Sequence, residues 1–95
     1  MKIARGSGNV FKDIGFSDEE AAYLLARAEL MVEIVRAIDQ RDWTPAEAAE
    51  ALDISEPRVS ELRRGKMEKF SVDLLLRYLS RLGKKVIFTV KENVA

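Results

Sequence analysis

Between Ser55 and Lys69 the chain gathers side chains able to hold anions and to read hydrogen-bonding edges: Ser55, Glu56, Pro57, Arg58, Ser60, Glu61, Arg63, Arg64, Lys66 and Lys69. On a helix turning about 100° per residue, Val59 and Leu62 on the inner face leave Glu56, Pro57, Ser60, Glu61 and Arg64 on the outer one. Arg58 and Arg63 flank that face and, with Lys66 and Lys69 in the following loop, are placed to reach phosphate oxygens. Arg64 suits phosphate or the acceptors of guanine, whereas Glu56 and Glu61 only accept and so match the N4 donor of cytosine. Two acids on such a face also repel a phosphate backbone, which implies modest affinity and sharper discrimination. The alternative is surface pairing, Glu61 with Arg58 three residues earlier and with Arg64 three residues later.

Other chemistries are poorly served. The 95 residues contain no cysteine and no histidine, which removes disulfides, thiol chemistry, the usual zinc sites and histidine acid–base catalysis. No nucleophile with an attendant base, no metal cluster and no phosphate loop is visible, so no catalytic residue, metal or cofactor is expected and an enzyme is a distant reading. No apolar run approaches the length of a membrane span and no signal-peptide core is present, so a soluble protein of the reducing cytoplasm is expected. The net charge is zero, which argues against a polyanionic partner until its distribution is read. Residues 17–54 carry ten acidic side chains against three basic, and residues 55–95 carry ten basic against five acidic. The basic excess begins with the stretch described above, although charges of this density also serve simply to solvate a small protein.

The elements that must position those side chains are two short helices at 44–65. Thr44 is an N-cap with Pro45 at the first helical position and Glu47 at capping-box distance. Ala48, Ala49 and Leu52 supply a buried stripe whose small members allow a second helix to cross closely. Asp53 marks the turn, Ser55 caps the second helix with Ile54 and Val59 at staple spacing, and Gly65 ends it. Two such helices joined by a turn of three or four residues are a helix-turn-helix, the DNA-binding motif.

At these residues the chain resembles a known family. The run AEAAEALDISEPRVSELRRGKMEKFSVDLLLRYLSRLG is similar to XRE-type (lambda repressor/Cro-like) helix-turn-helix proteins. Pro57 to Ser60, Arg64 to Lys66, and Phe70 with Ser71 bring it nearest to the small HigA-like antitoxins of bacterial type II toxin–antitoxin systems. It departs from the pattern at Pro45 and Glu56, where glutamine is frequent, and at Asp53, where glycine is frequent. A helix tolerates proline at its first position and aspartate tolerates a left-handed turn, so these changes bear on the bases read rather than on the fold. The resemblance implies a homodimer that represses its own operon and neutralises a RelE/HigB-like ribonuclease toxin through its N-terminal arm, long helix or terminal strand. A stand-alone or phage-type repressor, and an interaction module that has lost DNA binding, remain as alternatives.

Around the motif, residues 1–16 read as an irregular arm whose Val10, Phe11, Ile14 and Phe16 dock on the domain or on a partner. Residues 17–95 form the single domain. Ser17 caps a helix running to about Gln40, bent or divided near Arg27, in which Leu24, Ala28, Met31, Val35 and Ile38 form a stripe that Leu25, Val32 and Ile34 widen. Such a helix buries more than one side, its first half against the arm or a dimer mate. Trp43 fills the hinge. After a loop at Lys66 to Lys69, Ser71 caps a last helix closed by Leu74, Leu75, Tyr78, Leu79 and Leu82 and stopped at Gly83. The β-branched and aromatic enrichment of 85–91 predicts one strand, with Val86, Ile87, Phe88, Thr89 and Val90 pairing a second protomer, a toxin edge or the arm. The expected fold is thus mostly α: a lambda-repressor-like bundle with a long N-terminal helix and one C-terminal strand used in dimerisation. It would read near-palindromic double-stranded DNA, with half-sites about 34–36 Å apart.

Overall fold

The computed structural model describes residues 9–92 and is helical throughout its ordered elements. They are α1 (Val10–Asp13), α2 (Asp18–Gln40), α3 (Pro45–Leu52), α4 (Glu56–Arg63) and α5 (Val72–Arg81), with a 3-10 turn at Met67–Lys69 where the sequence suggested only a loop. No helix among the described residues is long and apolar enough to cross a membrane.

Residues 1–8 of the arm lie outside the described residues, and the rest of it is not irregular. Asn9 caps α1 by accepting from the Phe11 backbone N–H at 3.0 Å, and its amide donates to the Ala21 carbonyl of α2 at 3.0 Å. The Phe11 and Phe16 rings meet edge to face at 6.2 Å. The described arm therefore docks on its own domain.

Ser17 accepts from the Glu20 backbone N–H at 3.2 Å, opening a 23-residue helix that runs unbroken past Arg27. Its buried face differs from the expected one. Of the five-residue stripe only Met31 and Ile38 are buried, joined by Ile34 and Ala37. Leu24, Leu25, Ala28, Val32 and Val35 are left half-buried. A bundle this small covers one face of a long helix, and α5, which packs on α2, selects the face built on Ile34.

The remaining core follows the sequence closely. Ala48, Ala49 and Leu52 of α3, Val59 and Leu62 of α4, Phe70, and Leu75, Tyr78, Leu79 and Leu82 at the last helix close around α2, with Leu74 and Trp43 packed against them. Thr44 accepts from Glu47 N–H at 3.2 Å while the Glu47 carboxylate accepts from Thr44 N–H at 2.9 Å, so the capping box is complete. Thr44→Ala should therefore cost about 1 kcal/mol in chemical denaturation, with no change in far-UV dichroism of the native state.

The predicted strand is absent. Residues 84–92 have no regular structure: Val86 is half-buried against the core, Thr89 is exposed, and Ile87, Phe88 and Val90 are 78%, 70% and 94% exposed. β-Enrichment expresses the fit of side chains to a pleated, half-buried surface, and it needs a neighbouring backbone to complete the ladder. The described part of the chain offers only helices there, so the segment forms no strand within this fold.

Candidate nucleic-acid interface

The turn between α3 and α4 fixes how α4 is presented. Asp53 adopts a left-handed conformation, φ 58° and ψ 49°, and the Ile54 N–H reaches the Ala49 carbonyl at 3.0 Å. Ser55 then caps α4, accepting from Arg58 N–H at 3.3 Å, so its hydroxyl is occupied by the helix end. The Arg81 guanidinium of α5 donates to the Leu52 carbonyl at 2.6 Å and ties the end of α3 to the core. Val59 and Leu62 are buried as expected, which turns Glu56, Pro57, Ser60, Arg63 and Arg64 outward into solvent.

A model of a helix-turn-helix domain family matches residues 10–91, nearly the whole described chain. Among solved structures, one assigned to the XRE family of transcriptional regulators superposes with a TM-score of 0.72 and 31% identity, over 78% of this chain and 83% of that one. The chain belongs to the XRE helix-turn-helix family. No curated protein matches it.

Within this XRE-family domain the expected contact residues separate into two groups. Arg58 turns inward, its guanidinium 4.3 Å from the centre of the Phe70 ring, donating to the Lys69 carbonyl at 3.1 Å and lying 3.4 Å from Glu61. It braces the loop after α4 rather than standing free on the flank of the helix as the helical wheel suggested. Glu61 is drawn in with it, its side chain 17% exposed and its second oxygen 3.0 Å from Lys69 Nζ. The surface-pairing alternative is thus half correct, for Glu61 holds Arg58 but takes Lys69 rather than Arg64. The wheel failed here because it places Cβ atoms, whereas a long guanidinium follows the nearest buried aromatic face and free carbonyl. Arg63 pairs with Asp39 at the end of α2. Arg64 is exposed and has no side-chain hydrogen bond or ion pair among the described residues, as is true of Glu56, Ser60 and the half-buried Lys66.

The Lys69 hydrogen bond, aided by the positive charges of Lys69 and Arg58 and opposed by burial, holds the Glu61 carboxyl below the usual carboxylate range. A group whose folded pKa is depressed stabilises the fold above its unfolded pKa and loses that effect as pH falls through the folded value. Glu61→Gln should therefore be less stable than wild type at neutral pH, and the two denaturation midpoints should converge as the pH falls through the depressed pKa of Glu61.

Sequence reading missed the arginines that support this surface. Arg27 of α2 donates to the Met67 and Phe70 carbonyls at 3.1 and 3.4 Å, anchoring the loop that carries Lys66 and Lys69. Arg41 donates to the Leu82 carbonyl at 2.7 Å and lies over the Trp43 ring, which holds the hinge ahead of α3. For Arg27 the available signal was an arginine set within an apolar helix stretch, since a guanidinium placed there must find carbonyls to satisfy it, whereas Arg41 sits in a polar run at the end of α2 and carried no such signal.

Proposed function

We propose that the chain is a sequence-specific DNA-binding transcriptional regulator that acts as a homodimer on a near-palindromic operator. The observation that carries this reading is α4 itself: Val59 and Leu62 anchor it rigidly while Glu56, Pro57, Ser60 and Arg64 are left uncommitted on its outer face. A recognition helix needs a fixed frame and free polar groups, and the likeness to an XRE-family transcriptional regulator supports the same role. Arg64 and Lys66 supply the uncommitted positive charge, Arg64 reaches phosphate or guanine, and Glu56 and Ser60 select against bases that offer them no partner. Few free cations mean a shallow salt dependence.

The test is binding of the full chain to its own upstream DNA and to an unrelated duplex at two salt concentrations. Preference for the upstream DNA that persists as salt rises supports a sequence-reading regulator. Equal, weak binding that disappears with salt leaves the fold as a module for holding a protein partner.

A second, narrower role is that of a HigA-like antitoxin holding a RelE/HigB-like toxin. It is favoured by the apolar surface at the N-terminal end, where Val10, Ile14, Phe16 and Tyr23 remain exposed although α1 is docked. Absence of a neighbouring toxin gene, together with failure of any small basic protein to copurify, would leave a stand-alone repressor.

A further inference from the structure

The domain is less compact than its size allows. Its radius of gyration is 14.4 Å and its extents are 44 × 25 × 21 Å, against about 12 Å expected for a compact chain of this length. Part of the long helix lies beyond what one copy can cover. Along it, Ala28, Val32 and Val35 form one wall of an open groove of about 640 Å³, and Leu62 with Met67, at the end of the recognition helix and just after it, forms the other. Leu25 continues the row on α2, so that 25, 28, 32 and 35 follow the three-four spacing of a helix–helix seam.

The charges beside this seam carry both signs. Glu29 and Arg36 stand seven residues apart on the same flank, and Asp39 and Arg63 stand at the groove's edge. Glu29 has no ion-pair partner among the described residues. Arg36 is engaged only by Glu33 at 3.0 Å within the same helix, and both side chains are about half exposed. Such an exposed intrahelical pair is worth little and is readily exchanged. When two copies of a helix run antiparallel about a two-fold axis, residues at one flanking position of the repeat face each other. Glu29 of each copy then meets Arg36 of the other, twice per dimer. A rim of one sign would instead suit an oppositely charged ligand or partner. An apolar row bordered by two signs in this arrangement is complementary to itself.

We propose that this groove seats a second copy of the chain, with the two α2 helices antiparallel about a two-fold axis near Val32 and Val35. The inference rests on the dimeric regulator reading and assigns it a surface. It replaces the C-terminal contact that the sequence suggested, and it places the interface against Leu62 and Met67, so that assembly fixes the spacing of the two recognition helices.

Sedimentation equilibrium of the full chain tests it. Wild type should be a dimer, and Val32→Glu a monomer with unchanged helical dichroism. Glu29→Arg should weaken dimerisation more than about tenfold by setting arginine against arginine, and adding Arg36→Glu should restore it. Should Val32→Glu fail to fold, the charge-exchange pair decides, because Arg36 is exposed and Glu29 is half-buried and outside the core. A monomeric wild type, a dimer indifferent to Val32→Glu, or the absence of rescue by the double exchange overturns the proposal. DNA binding is scored separately. A Val32-dependent dimer that ignores its upstream DNA would sink the regulator reading and leave this surface standing, whereas a monomer that reads that DNA would do the reverse.

Discussion

Replacing Phe70 with alanine is expected to remove about 3–5 kcal/mol of stability, a large fraction of the roughly 5–14 kcal/mol available to a domain of this length. Phe70 is fully buried, meets the Tyr78 ring edge to face at 6.3 Å, and packs in the cluster that joins α2, α4 and α5. Truncation opens a cavity where three elements meet, and none of them can collapse into it without leaving the other two. It also takes away the face over which the Arg58 guanidinium lies. A midpoint shift in urea comparable to that of truncating an isolated peripheral leucine would show that Phe70 is not central. A second consequence separates its two roles: Phe70→Leu, which restores most of the volume but not the ring, should recover most of the stability while Arg58 remains without its stacking partner.

Phe70 also shows what was legible before the structure. The sequence marked it, with Ser71, among the residues that carry the family resemblance, and Ser71 was read as a cap and does accept from the Leu74 backbone N–H at 3.1 Å. Caps, left-handed turns and the small residues of α3 are local features whose physics acts within a few positions, which is why the capping box, the Asp53 turn and the inner face of α4 could be read directly. Three features were decided by distant parts of the chain. Which face of α2 is buried depends on where α5 lands. Whether residues 84–92 become a strand depends on a neighbouring backbone that the described residues do not provide. The Arg58 guanidinium went to a ring twelve residues away and to the Lys69 carbonyl eleven residues away, and neither pairing has a periodic signature. Arg27 is the extreme case, its contacts spanning 40 and 43 residues.

The separation of Arg58 from Arg64 leads to the second large effect. Arg64→Ala should lower affinity for the upstream DNA by roughly 5- to 150-fold, which corresponds to about 1–3 kcal/mol for a guanidinium lost from a base or phosphate. Its thermal midpoint should be nearly unchanged, because the side chain is exposed and bonded to nothing among the described residues. Arg58→Ala should behave in the opposite way. Its side chain lies over Phe70 and donates to the Lys69 carbonyl, so removal costs about 1–2 kcal/mol of stability. Its effect on binding should follow from loosening the Lys66–Lys69 loop and from leaving Glu61 with Lys69 as its sole cationic partner, a less neutralised negative charge beside the phosphates. Salt titration distinguishes the two: Arg64→Ala lowers the slope of log affinity against log salt by close to one if the contact is to phosphate. It leaves that slope unchanged and relaxes preference at a single base pair if the contact is to guanine. Equal losses of stability in both variants would mean that Arg64, too, belongs to the frame, and the outer face of α4 would then lack the free cation on which the DNA-reading role depends.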